Sequence, residues 1–150
     1  MVFLRNILIT TDLSTYSLAA LEYSFTLGLL FGARLSLLYV AEQGQYKSEQ
    51  QAASLLEEFA ARNIDTRLKP DLVVRTGHAA EQIRDFARDR GVDLIVMATH
   101  GRTGIRHALL GSVVQKVVRL STVPVLTVKP HAVRENLLRF ADVEHELHLR

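Results

Sequence analysis

The chain has 150 residues, 48% of them apolar and 23% charged, with a formal net charge of +2 at pH 7. That length and balance suit one soluble domain with its own core, while so slight a charge, carried mostly by scattered arginines, gives no footing for nucleic acid. The absence of cysteine excludes disulfides and thiolate metal sites, and no run reaches the roughly 18 apolar residues that a membrane-spanning helix needs.

The opening stretch, MVFLRNILITTDLS, is broken by Arg5 and Asn6 and lacks a small-residue cleavage pattern. No export signal is expected, and the reading is cytoplasmic. FLRNILIT (3–10) is a β-rich run. Residues 14–32 place Leu18, Leu21, Phe25, Leu29 and Leu30 at helical period, with Ser14 as the expected N-cap and Gly32 as the stop. ARLSLLYVAE (33–42) is a second strand, apolar almost throughout, as strands covered on both faces are. After the polar loop QGQYKS (43–48), residues 49–63 form a helix with Ala52, Leu55, Leu56 and Phe59 on one side.

Pro70 restricts the third strand to the second half of RLKPDLVVRTG (67–77). HAAEQIRDFARDRG (78–91) is an amphipathic helix expected to bury Ala79, Ile83, Phe86 and Ala87 and to stop at Gly91. VDLIVMAT (92–99) is the fourth strand. SVVQKVVRLS (112–121) is a helix through Val113, Val114, Val117, Val118 and Leu120, and VPVLTVKP (123–130) is the fifth strand. This alternation makes an α/β domain over residues 1–130, with a parallel sheet and right-handed crossovers. Residues 131–150 fall outside it as a C-terminal tail, in which Val133, Leu137, Leu138 and Phe140 can line one face of an extra helix.

In open parallel sheets, ligands bind beyond the carboxyl ends of the strands, where the strand order reverses. That puts a crevice between ITTDLS and MATHGRTG. Thr10, Thr11 and Asp12 face it from one side, and His100 and Gly101 from the other. Two phosphate motifs are missing: there is no G-x4-G-K-[ST], and the turn after strand one contains no glycine. Gly111–Ser112 nevertheless opens a helix, whose N-terminal N–H groups and dipole favour an anion. HELH (145–148) spaces its histidines by three rather than four, so it is not a zinc helix motif, and no metal cluster is expected. Each of these residues also has a purely structural reading. Asp12 can cap the first helix with Ser14, Gly111 can be a turn glycine, His100 can bond its own loop, and Arg102 and Arg106 can simply be solvated.

MATHGRTGIRHALLGSVVQKVVRLSTVPVLTVKP, together with ILITTDLSTYSLAALEYS near the start, resembles the universal stress protein family over roughly residues 3–130. That family's nucleotide motif runs G-x2-G-x9-G-[ST]. The matching register sets the second glycine at Gly101, the third at Gly111 and the hydroxyl at Ser112, and leaves Ala98 in the first position as a departure. Gly104 stands outside the motif. The resemblance implies a Rossmann-like adenine-nucleotide-binding fold with five parallel strands in the order 3-2-1-4-5, and a regulatory protein of the stress response with ATP in the crevice.

On that resemblance Asp12 meets the adenine or ribose end and the Val40 backbone meets adenine. His100, Gly101, Gly111, Ser112 and Val113 hold ribose and phosphates. Thr10, Thr11, Met97, Ala98 and Arg102 complete the set, Arg102 lying in a loop able to fold over a triphosphate. Mg²⁺ is the metal expected with ATP, held mostly by phosphate and water oxygens. A homodimer through the fifth strand (residues 123–129) is also implied. The alternatives are a dimeric scaffold with no bound nucleotide and a slow ATPase or autophosphorylating protein. Efficient phosphoryl transfer needs a positioned base and a cation at the phosphates, and no lysine or base is read there.

Overall fold

In a computed structural model, residues 1–100 and 110–130 are described. Nine elements alternate along them: β1 (Asn6–Thr11), α1 (Leu18–Phe31), β2 (Arg34–Ala41), α2 (Glu49–Asn63), β3 (Asp71–Thr76), α3 (Ala79–Asp89), β4 (Leu94–Ala98), α4 (Ser112–Leu120) and β5 (Val125–Val128). The five strands form one parallel sheet in the order β3-β2-β1-β4-β5. The central strand β1 is dry on both faces because its side chains alternate between two cores. Ile7 and Ile9 pack with α1 and α2 on one face, and Leu8 packs with α3 and α4 on the other. All three are at most 1% exposed, which is why a central parallel strand reads as an unbroken apolar run.

The element ends have local causes. β1 starts at Asn6 rather than Phe3, which is exposed. The Asp93 carboxylate accepts from the N–H groups of Arg5 and Asn6 at 2.8 and 2.9 Å and fixes the strand's entry. α2 is capped by Ser48, whose hydroxyl accepts from Gln51 N–H, and it runs over the expected residues. Gly32 closes α1 at φ 62°, a left-handed conformation that a side chain would resist.

Several local expectations change. Ser14 does not cap an α-helix with its side chain. Thr15–Ser17 is a single 3-10 turn, α1 begins at Leu18 after Ser17, and the Ser14 hydroxyl is spent on Asp12. In α3 the buried alanines are Ala80 and Ala87, while Ala79 is only half-buried. In α4 the core contacts come from Val114 and Val117, with Val113 and Val118 39% and 48% exposed. A nine-residue helix lying on one sheet face has room for one buried stripe only, so five apolar residues cannot all turn inward. The 131–150 tail lies outside the described residues.

Candidate functional site

The strand order reverses between β1 and β4. β1 leads outward through β2 to β3 on one side, and the chain then crosses to β4 and β5 on the other. Two loops therefore part above the carboxyl ends of these strands, and a cavity of ≈ 520 Å³ opens there. Its lining follows from strand period. Thr10 and Asp12 continue the Leu8 side of β1, Val40 continues the Leu38 side of β2, and Met97 continues the Ile95 side of β4. All therefore point to the α3–α4 face, where Ala79 and Ile83 of α3 and Val113 and Val114 of α4 close the apolar wall. β2 outruns β1, whose ladder ends at Thr11 beside Tyr39, so Val40 reaches one residue past its neighbour.

The β1 loop is held by its own side chains. Leu13 N–H donates to Thr11 Oγ1 at 2.9 Å, and the Thr11 and Ser17 hydroxyls pair at 2.8 Å. Asp12 Oδ1 accepts from Ser14 N–H at 3.0 Å and from the Ser14 hydroxyl at 2.5 Å. The turn takes its left-handed residue at Leu13, φ 66°. A leucine there costs on the order of 1 kcal/mol or more, and the surrounding bonds hold it in place. Asp12 itself is half-buried and lines the cavity.

The opposite loop is built differently. Gly111 N–H donates to Thr99 O at 2.8 Å, which pins the start of α4 against the continuation of β4. A Cβ on residue 111 would sit 3.3 Å from that same oxygen. α4 has no side-chain N-cap bond and no acidic residue in its first turn, whereas α2 has Glu49 and α3 has Glu81 in that position. The N–H groups of a first helical turn lack intrahelical acceptors, and here they border the cavity with the dipole's positive end. Beside them, His100 Nδ1 pairs with Thr99 Oγ1 at 2.8 Å.

Of the residues selected from the sequence, Thr10, Thr11, Asp12, Val40, Met97, Ala98, His100, Gly111, Ser112 and Val113 line this one cavity. Gly101 and Arg102 lie outside the described residues. Sequence reasoning missed the rim supplied by Glu42 and Gln45. Gln45 Oε1 accepts from Glu42 N–H at 3.0 Å, and Gln45 Nε2 donates to the Tyr46 hydroxyl, which pairs with the Tyr39 hydroxyl at 2.8 Å. The available signal was register: any segment leaving β2 after Ala41 emerges at the cavity's edge. Among the described residues, no three of His, Asp or Glu converge as metal ligands. No helix among them is long and apolar enough to cross a membrane.

The sequence profile described as the universal stress protein family matches residues 4–129. A universal stress protein of Methanocaldococcus jannaschii is 30% identical, the match covering 85% of this chain and 96% of that protein. Its solved structure superposes with a TM-score of 0.73 at 29% identity, covering 87% of this chain and 99% of the other. The same fold recurs in a universal stress protein solved in complex with cAMP (TM-score 0.66, 22% identity, 86% and 99% covered). It recurs again in one from Archaeoglobus fulgidus in complex with dAMP (TM-score 0.59, 19% identity, 85% and 98% covered).

Proposed function

The chain belongs to the universal stress protein family, and on that premise we propose that it is an ATP-binding regulatory protein of the stress response, with the nucleotide seated between the β1 loop and the start of α4. The observation that carries this reading is the composition of the ≈ 520 Å³ cavity. An apolar slot of Leu38, Val40, Ile83 and Met97 suits a base, and the uncapped, Gly111-pinned start of α4 suits phosphate. The adenine nucleotides in the cAMP and dAMP complexes of two structural neighbours support the ligand class.

In this arrangement Val40 presents backbone to the base, and Asp12 faces the ribose or base end. His100, Ser112 and Val113 face the sugar and phosphates, and Gly101 and Arg102, which lie outside the described residues, are assigned to the same ligand by the family resemblance alone. Mg²⁺ would be held mainly by phosphate and water oxygens, since the described residues offer it no ligand cluster. ATP brings a transferable phosphoryl group, but at the start of α4 the side chains are hydroxyl and imidazole, and the carboxylate of Asp12 belongs to the opposite lip. Efficient turnover needs a base and a cation together at the γ-phosphate, and among the described residues no carboxylate stands at the phosphate end, so we read the nucleotide as a ligand whose presence biases conformation and partners.

β5 supports the homodimer. It forms one edge of the sheet, its residues Val125, Leu126 and Thr127 are only half-buried, and none of its four residues is charged. A dimer suits the nucleotide-free scaffold equally well, so occupancy is what separates the two readings. The test is to denature freshly purified protein and identify what it releases by chromatography and mass spectrometry. Near-stoichiometric ATP is the expected result, and ADP alone would favour a slow ATPase. No nucleotide, with no binding of added Mg-ATP by calorimetry, would overturn the reading in favour of the scaffold.

A further inference from the structure

The backbone groups of successive residues in a strand point alternately to one neighbour and the other. In β2, Arg34 N–H donates to Arg5 O on the β1 side at 2.7 Å, while Ala41 O accepts from Gly77 N–H on the β3 side at 2.9 Å. The Val40 carbonyl and, one step past the strand, the Glu42 N–H therefore both face the β1 side. The β1 ladder ends at Thr11 opposite Tyr39, and the chain turns away at Leu13, φ 66°. Strand β1 thus supplies no partner for this last acceptor and donor, and both belong to residues that line the cavity.

The chain supplies the donor's partner from a side chain instead. Glu42 to Gln45 form a turn closed by Gln45 N–H donating to Glu42 O at 3.1 Å, with Gly44 at φ 79°, as type II turns require of their third residue. This turn brings the Gln45 carboxamide back over its own start, where Oε1 accepts from Glu42 N–H at 3.0 Å. Gln45 Nε2 donates to the Tyr46 hydroxyl at 3.0 Å, and that hydroxyl pairs with the hydroxyl of Tyr39, whose side chain is buried. The amide is held at both ends, so its oxygen sits where an acceptor from a ligand would sit.

We propose that Gln45 sets the base selectivity of the cavity: its carboxamide holds the Glu42 donor in the free protein and yields it only to a base that brings an acceptor to the same place. The inference rests on the adenine-nucleotide reading given above. The Watson–Crick edge of adenine carries an amino donor beside a ring acceptor, the complement of Val40 C=O and Glu42 N–H. Hypoxanthine carries the reverse, a carbonyl beside a ring N–H, and cannot take the donor from Gln45. A seat held about four-fifths of the time leaves the donor open about one time in five and weakens apparent affinity about fivefold, within the strength of a single amide hydrogen bond.

The test titrates Mg-ATP and Mg-ITP into nucleotide-free, full-length protein by calorimetry, for the parent and for Gln45→Ala, which keeps the backbone bond of the turn and removes the carboxamide. The expected result is a rise of about fivefold in ATP affinity with ITP affinity unchanged. An equal gain for both nucleotides would make Gln45 a steric obstacle at the cavity's mouth and overturn the proposal, as would no gain for ATP. Either of these leaves the adenine-nucleotide reading standing, whereas ATP binding by neither form overturns both. A second measurement needs no ligand. Hydrogen exchange of the Glu42 amide, followed by NMR in the nucleotide-free protein, should quicken about tenfold in Gln45→Ala. An unchanged rate would mean that Gln45 does not hold the donor, and overturns the proposal.

Discussion

The two lips of the crevice are both polar, yet they use their polarity in opposite ways. The β1 lip, Thr11 to Ser17, spends it inward, with its hydroxyls, the Asp12 carboxylate and the backbone bonded to one another around a left-handed Leu13. Among the described residues, the α4 lip has no side-chain cap at Gly111 and no carboxylate in its first turn. A polar side chain beside a cavity is therefore a poor guide to binding until its own bonds are counted.

The strongest way to break this contrast is Gly111→Val. At φ −64° the backbone accepts any residue. The new Cβ, however, falls 3.3 Å from Thr99 O, and the branched side chain covers the N–H groups of the first turn. Mg-ATP affinity measured by calorimetry should fall about 100-fold, equivalent to about 2.7 kcal/mol, with the circular dichroism spectrum unchanged. Loss of affinity below about threefold would mean that phosphate does not sit on this helix start.

Thr11→Val attacks the other lip through stability. The shape is kept, but Leu13 N–H loses its acceptor and the buried Ser17 hydroxyl loses a partner. Urea denaturation should show about 1–3 kcal/mol of destabilisation. If the protein remains folded, the loss in ATP affinity should be smaller than for Gly111→Val. Asp12→Asn is gentler, since its side-chain oxygen can still accept from Ser14 N–H. The substitution removes the charge facing the cavity while that oxygen can also keep accepting from the Ser14 hydroxyl. We expect about a tenfold loss of affinity at constant melting temperature, which titration calorimetry and thermal denaturation measure together.

What the sequence made legible follows the same division. The parallel sheet and the crevice's place come from the alternation of elements and the switch-point rule, while the strand order was implied by the resemblance to the universal stress protein family, and none of these depends on fine geometry. Gly111 was visible because it opens a helix beside the expected crevice and matches the third glycine of the family's motif. Leu13 was not, because a turn without glycine offers no residue that advertises a positive φ. The bond network of Thr11, Ser14 and Ser17 supplies that conformation instead, and this tertiary closure redirected Ser14 from the helix cap to Asp12. Glu42 and Gln45 escaped because a polar loop after a strand looks the same whether it borders a cavity or solvent.

The smallest effect tests how the apolar wall behind the α4 lip is braced. Lys116 Nζ of α4 donates to Glu81 Oε1 of α3 at 3.2 Å, tying together the two helices that close the wall. That hydrogen bond, more than any other influence, holds the Glu81 carboxyl below the usual range, against an opposing push from partial desolvation. A carboxyl whose pKa is lower folded than unfolded stabilises the fold above its unfolded value, and the contribution is lost as pH falls through the folded one. Lys116→Met should therefore lower the melting temperature slightly at pH 7, and the gap from the parent protein should close as Glu81 protonates at acid pH. In the variant the Glu81 carboxyl carbon, followed by NMR, should titrate at a higher pH than in the parent. If its titration does not move, Lys116 is a solvated lysine and the α3–α4 wall stands on Ile83, Val114 and Val117 alone.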